Sequence, residues 1–369
     1  MKALIPIIIL IVFLSILAGA NIYLVRRLSQ FFSIANLKIL YSISGFLSIF
    51  MIAGVMGASN SISTIGHIIY VIAAIAMGVL LYLLISTLLV DLLSVFTNFK
   101  PLTYGLIVIV TTFTVVSYGT WNSFNTKVTN VEIPVSGLNN DIKLMHLSDV
   151  HIGHFRGISW VQKLVDKIND NEIDFVVITG DLFDGRINLN HQTLEPLKQI
   201  KVPIYFVEGN HDGYSGVNEI KALLRNYGVV VLENEITDYD NLQIIGLNHM
   251  LADDGSLNMH VPGNRLTIKS ALSQLNINKD QPSLLLHHSP DGIKYASENG
   301  IDVYLAGHTH AGQLFPINYI AKLLFAYNEG LHDYNGTRIF VSQGAGTFGP
   351  PMRIGTISEI SLITLKAIL

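Results

Sequence analysis

The sequence predicts two architectures in one chain: four membrane-length helices, then a layered α/β domain. Three observations predict this. Before Trp121 the only charged residues are Lys2, Arg26, Arg27, Lys38, Asp91 and Lys100, whereas charge returns at ordinary density beyond it. The same first third consists of four long apolar runs. The rest alternates short apolar strands with amphipathic helices, the pattern of an α/β layer fold. Half of the 369 residues are hydrophobic and 14% are charged, a low charged share for a water-soluble protein.

The first run, Ala3 to Val25, exceeds the roughly 20 apolar residues that cross a bilayer. It is longer than a secretory h-region, lacks a clear cleavage site and is followed by more apolar runs, so it reads as a span. The expected spans are 3–25, 37–58, 65–96 and 102–121, within a transmembrane module of residues 1–121. Arg26, Arg27 and Lys38 lie between spans one and two, and Lys100 between three and four. The loop ASNSISTIGH has no Lys or Arg. The positive-inside rule then puts the first and third loops in the cytoplasm, leaving everything after Trp121 outside the cytoplasm. Lys2 is a weak opposing signal. Asp91, near the end of the third span, reads as a structural acid rather than an intramembrane functional one.

Residues 122–141 read as a polar linker, and 142–369 as the second domain. Within it IKLMHLSDV, DFVVITGD, PIYFVEGN, LQIIGLN, PSLLLHH, DVYLAGH and RIFVSQG read as buried strands. WVQKLVDKIND, VNEIKALLRNYG and LTIKSALSQL have helical spacing. The net charge of -4 implies no nucleic-acid partner. The sequence contains no cysteine, which excludes disulfides and thiolate metal sites.

Five of the strands end in a carboxylate, amide or imidazole. In order these are SDVHIG (Asp149, His151), GDLFDG (Asp181), GNHD (Asn210, His211, Asp212), HHSPDG (His287, His288) and GHTHAG (His308, His310). Twelve of the thirteen histidines lie from His146 onward. Each motif alone is weak: a Gly-Asp pair is usually a turn, and GNHD would serve as a helix cap. Together they deliver metal-type side chains to the carboxyl edge of a sheet, where α/β folds bind ligands. Hard Asp and Asn oxygens mixed with imidazoles suit Mn, Fe or Zn. His287 and His288 point in opposite directions at a strand end, so only one of them can readily join the cluster.

The order D-x-H, G-D, G-N-H-D, H, G-H-x-H resembles the calcineurin-like metallophosphoesterase superfamily. HxPD followed by AGHTHAGQ resembles its bacterial membrane-associated, YkuE-like branch. The resemblance covers roughly Ile142 to Leu369 and implies a metallophosphoesterase αββα sandwich. It implies two divalent metal ions, manganese being one candidate. The first would be held by Asp149, His151, Asp181 and His310, and the second by the shared Asp181 with Asn210, His288 and His308. The H-x-P-D arrangement selects His288 over His287. A hydroxide bridging the ions would attack phosphorus, with His211 protonating the leaving oxygen and Asp212 orienting His211. His146 reads as core, His154 as lining the cleft, His249 as outside the site, Asp184 as a turn or supporting carboxylate and Arg353 as a surface ion pair.

The expected activity is therefore a membrane-anchored, metal-dependent phosphohydrolase acting on a phosphodiester or pyrophosphate. Membrane tethering favours a lipid-linked or cell-envelope substrate. The rival is a membrane sensor or transporter whose outer domain binds metal without catalysis.

Overall fold

The computed structural model describes residues 5–256 and 266–368. Lys2, Ala3 and Leu4, which entered the charge pattern and the first span, lie outside the described residues, as does Leu369 at the end of the domain. The described residues form two compact units.

The first unit contains helices α1 (Ile5–Phe32), α2 (Leu37–Ala58), α3 (Thr64–Ser94) and α4 (Pro101–Phe124). All four are long and apolar enough to cross a membrane. Inside a bilayer each backbone N–H and C=O must be satisfied within the helix, so the starts matter. Asn36 Oδ1 accepts the Ile39 N–H at 3.3 Å, Ser63 Oγ accepts the Gly66 N–H at 3.1 Å, and Pro101 begins α4 where no donor is needed. Small residues bring α2 and α3 together: a Cβ on Gly54 would meet Ala73 Cβ at 2.7 Å. Asn21 Nδ2 donates to Ser48 Oγ at 3.0 Å, a polar tie between α1 and α2. Asp91 is fully engaged within this unit. Tyr23 Oη donates to it at 2.5 Å, and Arg27 donates through Nε at 2.8 Å and also through Nη2.

The second unit runs β1 (Lys127–Ser136), β2 (Ile142–Leu147), β3 (Ile152–Gly153), α5 (Ile158–Asn169), β4 (Phe175–Thr179), β5 (Phe183–Asp184), α6 (His191–Leu194) and β6 (Ile204–Val207). It continues through α7 (Asn210–Ser215), α8 (Val217–Asn226), β7 (Val230–Val231), β8 (Glu235–Tyr239), β9 (Leu242–Gly246) and α9 (Ile268–Gln274). It closes with β10 (Ser283–Leu286), α10 (Ile293–Glu298), β11 (Val303–Ala306), α11 (Ile317–Leu324), β12 (Gly330–Tyr334), β13 (Thr337–Val341) and β14 (Glu359–Ile368).

Two six-stranded sheets result, ordered β1-β14-β2-β4-β6-β7 and β12-β13-β11-β10-β9-β8. The strands β2, β4 and β6 in one sheet, and β9, β10 and β11 in the other, are parallel to their neighbours in that set. They are buried on both faces, which is why they read as continuous apolar runs. Leu144, Phe175 and Val207 from the first sheet pack on Ile244, Leu284 and Leu305 from the second. Trp160, Leu164, Ile220 and Leu224 of α5 and α8 cover the outer face of the first sheet. Ile268, Leu272 and Ala296 of α9 and α10 cover that of the second. The architecture is an αββα sandwich.

The expected linker 122–141 is not one. It contains β1, whose ten residues pair in parallel with β14 from Lys127 opposite Glu359 to Ser136 opposite Ile368. Only Ile133 and Val135 are buried along it, so half of the strand looks polar in sequence. Pro134 is tolerated because β1 is an edge strand, where a missing donor can face away from the ladder.

Candidate metal centre

The register of the parallel strands sets the level at which the loops leave. Leu147 pairs with Ile178, Thr179 with Val207, and Leu286 with Leu305. Each chain therefore turns out of its sheet at nearly the same height. Asp149 and His151 follow β2, Asp181 follows β4, and Asn210 and His211 follow β6. His288 follows β10, and His308 and His310 follow β11. All five predicted motifs converge at one edge of the sandwich.

The turns are tight enough to force unusual backbone. Asp149, His151, Asp181, His308 and His310 all have φ between 49° and 73°. That left-handed region costs a non-glycine residue on the order of 1 kcal/mol or more, and such outliers gather at functional sites. Glycines make room. A Cβ on Gly209 would collide with Asp181, and one on Gly307 with Ser148 and Asp149. The glycine on the far side of GHTH, Gly312, faces α11 instead, where its Cβ would meet Asn318 and Ala321.

Donor atoms fall into two adjoining groups, with a third, His151, Asp184 and His211, sharing His151 with one of them. In one, His288 Nδ1 lies 2.8 Å from the Thr179 carbonyl, which can only accept, so Nδ1 carries the proton. Nε2 then turns toward Asp181 Oδ2 at 3.1 Å, Asn210 Oδ1 at 3.2 Å and His308 Nδ1 at 3.1 Å. A bare lone pair facing two oxygens is repulsive, so this pocket calls for positive charge. Burial pulls the His288 imidazole down, but the Asp181 carboxylate outweighs it and holds the group up at about 9. A proton or a cation satisfies the same demand.

In the other group, His151 Nε2 faces His310 Nε2 at 3.0 Å. Asp149 Oδ1 is 3.3 Å from His310 Nε2, and Asp181 Oδ2 is 3.9 Å from His151 Nε2. Ser148 Oγ at 2.6 Å and the His308 N–H at 2.9 Å both donate to Asp149 Oδ2, which turns Oδ1 into the cluster. Oδ1 has no hydrogen-bond partner among the described residues. Asp149 with His151 and His310, and Asp181 with His288 and His308, are each close enough to hold a metal ion. Asp181 Oδ2 borders both groups. The buried oxygen and imidazole donor set, with Asp149 Oδ1 unpartnered among the described residues, fits divalent cations.

His211 sits beside this cluster, its backbone N–H donating to Asp181 Oδ1 at 2.8 Å and its ring 4.8 Å from that of His151. Its Nδ1 is 2.9 Å from Asp184 Oδ1. Burial pulls the imidazole down, while Asp181 and Asp184 together hold it up at about 9.

The orienting role expected of Asp212 is corrected. Asp212 is fully buried and accepts the Gly209 N–H at 2.9 Å and the Phe183 N–H at 3.0 Å. It is the third residue of α7, and a carboxylate there reaches back to the helix start rather than sideways to its neighbour. Burial and the nearby Asp181 push its carboxyl up to about 7. Asp184, expected to be a turn or supporting carboxylate, is the one on His211.

Of the two adjacent histidines, His288 enters the cluster and His287 does not. His287 Nδ1 is 2.8 Å from the Ser289 carbonyl, and its Nε2 accepts the Met250 N–H at 3.4 Å. Arg353 is not a surface ion pair. It is fully buried, donating to the carbonyls of Gln343 at 2.5 Å, Gly344 at 3.0 Å and Gly346 at 2.8 Å. Its Nη2 also lies 3.1 Å from His310 Nδ1, so the guanidinium backs that ring. His146 is core, its Nε2 2.7 Å from Thr179 Oγ1, and His154 is buried.

His249, expected outside the site, borders the cluster. It is buried among His287, His288 and His308, with ring centroids 5.8 to 6.2 Å away. Neither of its nitrogens has a hydrogen-bond partner among the described residues. Its signal in the sequence is its place just after β9, at the same edge as the other motifs.

Residues 142–312 match the family described as calcineurin-like phosphoesterase. A metallophosphoesterase of Aquifex aeolicus is 31% identical over 238 residues, covering 61% of this chain and 85% of that one. The chain belongs to the calcineurin-like metallophosphoesterases. This metallophosphoesterase is also similar to Bacillus subtilis YkuE, at 26% identity over 240 residues, 61% of this chain and 79% of that one. A Danio rerio protein named as a transmembrane protein with metallophosphoesterase domain is 36% identical over 257 residues, 65% of this chain and 57% of that one. The chain spans less than two thirds of that relative and 64% of a Helicobacter pylori relative. Members of this family bind two divalent metals.

Proposed function

We propose that this chain is a multi-pass membrane protein whose outer domain hydrolyses a phosphodiester or pyrophosphate bond with the help of two divalent cations. The observation that carries the reading is His288 Nε2, a nitrogen whose other side is fixed by Thr179, turned onto Asp181 and Asn210. Asp149, His151, Asp181 and His310 would hold one ion, and Asp181, Asn210, His288 and His308 the other. Bound there, the cations would supply acidified water and neutralise the phosphoryl oxygens.

The remaining work falls to the chain. Ser148 and the His308 N–H fix Asp149, and the His211 N–H fixes Asp181, so the carboxylates are oriented before anything binds. Asp184 holds Nδ1 of His211, leaving Nε2 to protonate the leaving oxygen as its bond to phosphorus breaks. Phe348 packs against the rings of His151, His211 and His310 and limits water around that transfer.

Arg26 and Arg27 lie in the last two turns of α1, Lys38 in the first turn of α2 and Lys100 just before α4, which supports placing those helix ends in the cytoplasm and the second unit outside. The zebrafish relative's printed name supports the membrane reading.

The test is metal analysis of the purified protein together with a panel of phosphodiesters and pyrophosphates. Close to two metal equivalents and turnover lost in His211→Gln are expected. Fewer than one equivalent and no hydrolysis with any added divalent cation would refute the reading. Protease cleavage of the second unit in intact cells tests the orientation on its own.

A further inference from the structure

The turn bearing His310 runs through Gly312 straight into α11, INYIAKLL, whose outward face is the apolar one. Ala321 is its one buried residue. Tyr319, Ile320, Leu323 and Leu324 share one side of the helix at i, i+1, i+4 and i+5, and they are 60%, 52%, 87% and 74% exposed. A helix on a water-facing surface shows the reverse arrangement. Lys322 is the only charged residue on α11.

The opposite, inward side of α11 ties the helix to the candidate metal centre. Asn318 and Ala321 fill the space over Gly312, and Phe325, next after α11, sets its ring 5.9 Å from that of His308. Gln313 donates through Nε2 to the Phe348 carbonyl at 3.1 Å, and its Oε1 accepts the Phe348 N–H at 3.2 Å. Phe348, 46% exposed, packs on His310. An apolar rim therefore borders the candidate site.

We propose that α11 seats its outward face in the interfacial layer of a lipid bilayer, so that the site takes phosphate esters of membrane lipids at head-group level. The substrate class rests on the phosphoesterase reading above; the docking does not. Two features select a bilayer over a protein partner. The chain carries four bilayer-length helices, so a membrane is tethered to this domain and its effective concentration is high. The face is also Ile and Leu bordered by a Tyr, and the one Lys of the helix, Lys322, has its charge paired with Glu329 at 2.9 Å. Such a composition suits the acyl and head-group boundary and offers no charge pattern to fix a protein register.

The sequence contains no cysteine, so a single introduced thiol carries a unique label. Full-length Leu323→Cys and, as a control on the polar face of α5, Lys163→Cys are spin-labelled and reconstituted in phosphatidylcholine vesicles containing phosphatidylglycerol. The label at 323 is expected to be accessible to oxygen and shielded from a water-soluble nickel chelate, and the label at 163 the opposite. Equal nickel access at both positions overturns the docking. Dipolar broadening between labels at 323, which marks a second copy on this face, overturns it too. In parallel, Leu323→Glu combined with Leu324→Glu is expected to lower hydrolysis of a vesicle-borne lipid phosphodiester about tenfold or more while sparing a water-soluble one. Equal loss on both substrates overturns lipid presentation. A buried label at 323 in a protein that hydrolyses neither substrate upholds the docking and defeats the phosphoesterase reading.

Discussion

His211 Nδ1 and Asp184 Oδ1 lie 2.9 Å apart, while the carboxylate that follows His211 in sequence turns back into its own helix start. The pair supports the proposed role of His211, an imidazole beside the candidate metal centre that would keep a proton to give. Burial works against the charge on His211, and Asp181 and Asp184 restore it.

Asp184→Asn should lower kcat about 10- to 100-fold with metal content unchanged. It removes one of the two charges that hold the His211 pKa up. A group that must be protonated to act then loses its proton at lower pH, so the alkaline limb of the pH profile should move down. Asp212→Asn should leave that limb in place and cost stability, about 1–2 kcal/mol for one weakened buried acceptor, read by thermal unfolding. If Asp212→Asn moves the limb and Asp184→Asn does not, the pairing drawn here is wrong.

Removing the cations should loosen the second unit. Asp149, His151, His288 and His310 are buried together, and Asp149, His151 and His310 sit in left-handed backbone. At a hundredfold excess over Kd, a bound ion stabilises by about 2.7 kcal/mol. A domain of this size should then gain roughly 5–10 °C in Tm when reloaded after chelation. An unchanged melting curve would mean the cluster holds no ion.

Lys221 lies buried behind the GNHD turn, its Nζ 2.5 Å from Glu208 Oε2 and 2.6 Å from Glu233 Oε1. The Lys221 hydrogen bond holds Glu233 below its ordinary 4.5. Burial disfavours charge on Lys221, but its two carboxylates outweigh this and hold it above 10.5. A lowered carboxylate stabilises the fold above its unfolded pKa and stops doing so as pH falls through the folded value. The raised lysine contributes below its unfolded pKa and is lost as pH climbs past the folded one. The interaction should thus be complete across neutral pH and fade under acid. Lys221→Met should cost about 2 kcal/mol at neutral pH, discounted for the exposure of Glu233. The gap between variant and parent should shrink below pH 4, as denaturant midpoints would report.

Much of the fold was legible because β2, β4, β6, β9, β10, β11 and β13 are buried apolar runs ending in turn residues. The edge strand β1 was not, since its outward half is polar and Pro134 argues against a central strand. The ligand motifs could be read because each one ends a strand, and strand ends share an edge whatever the loops do. Pairings across that edge could not. Asp184 reaches His211 from another loop, and Asp212 is adjacent to it in sequence yet faces away. Arg353 looked like a surface charge because nothing in GPPMRIG signals that three carbonyls from Gln343 to Gly346 would close around it.

His249 offers a test in which function and stability should move apart. Its imidazole is buried, and neither nitrogen finds a partner among the described residues. Burial, then the neighbouring His288, push its pKa down to about 2, so it is a neutral ring with an unmet donor and an unmet acceptor. A buried group left unpaired costs about 1–3 kcal/mol, and a cost of that kind is retained where a ligand supplies the missing bond. His249→Phe keeps the ring and removes the polar atoms. Its Tm should hold or rise, while KM for the phosphoester rises several-fold with kcat less affected, the mark of a lost binding contact. A lowered Tm with unchanged kinetics would make His249 a packing residue.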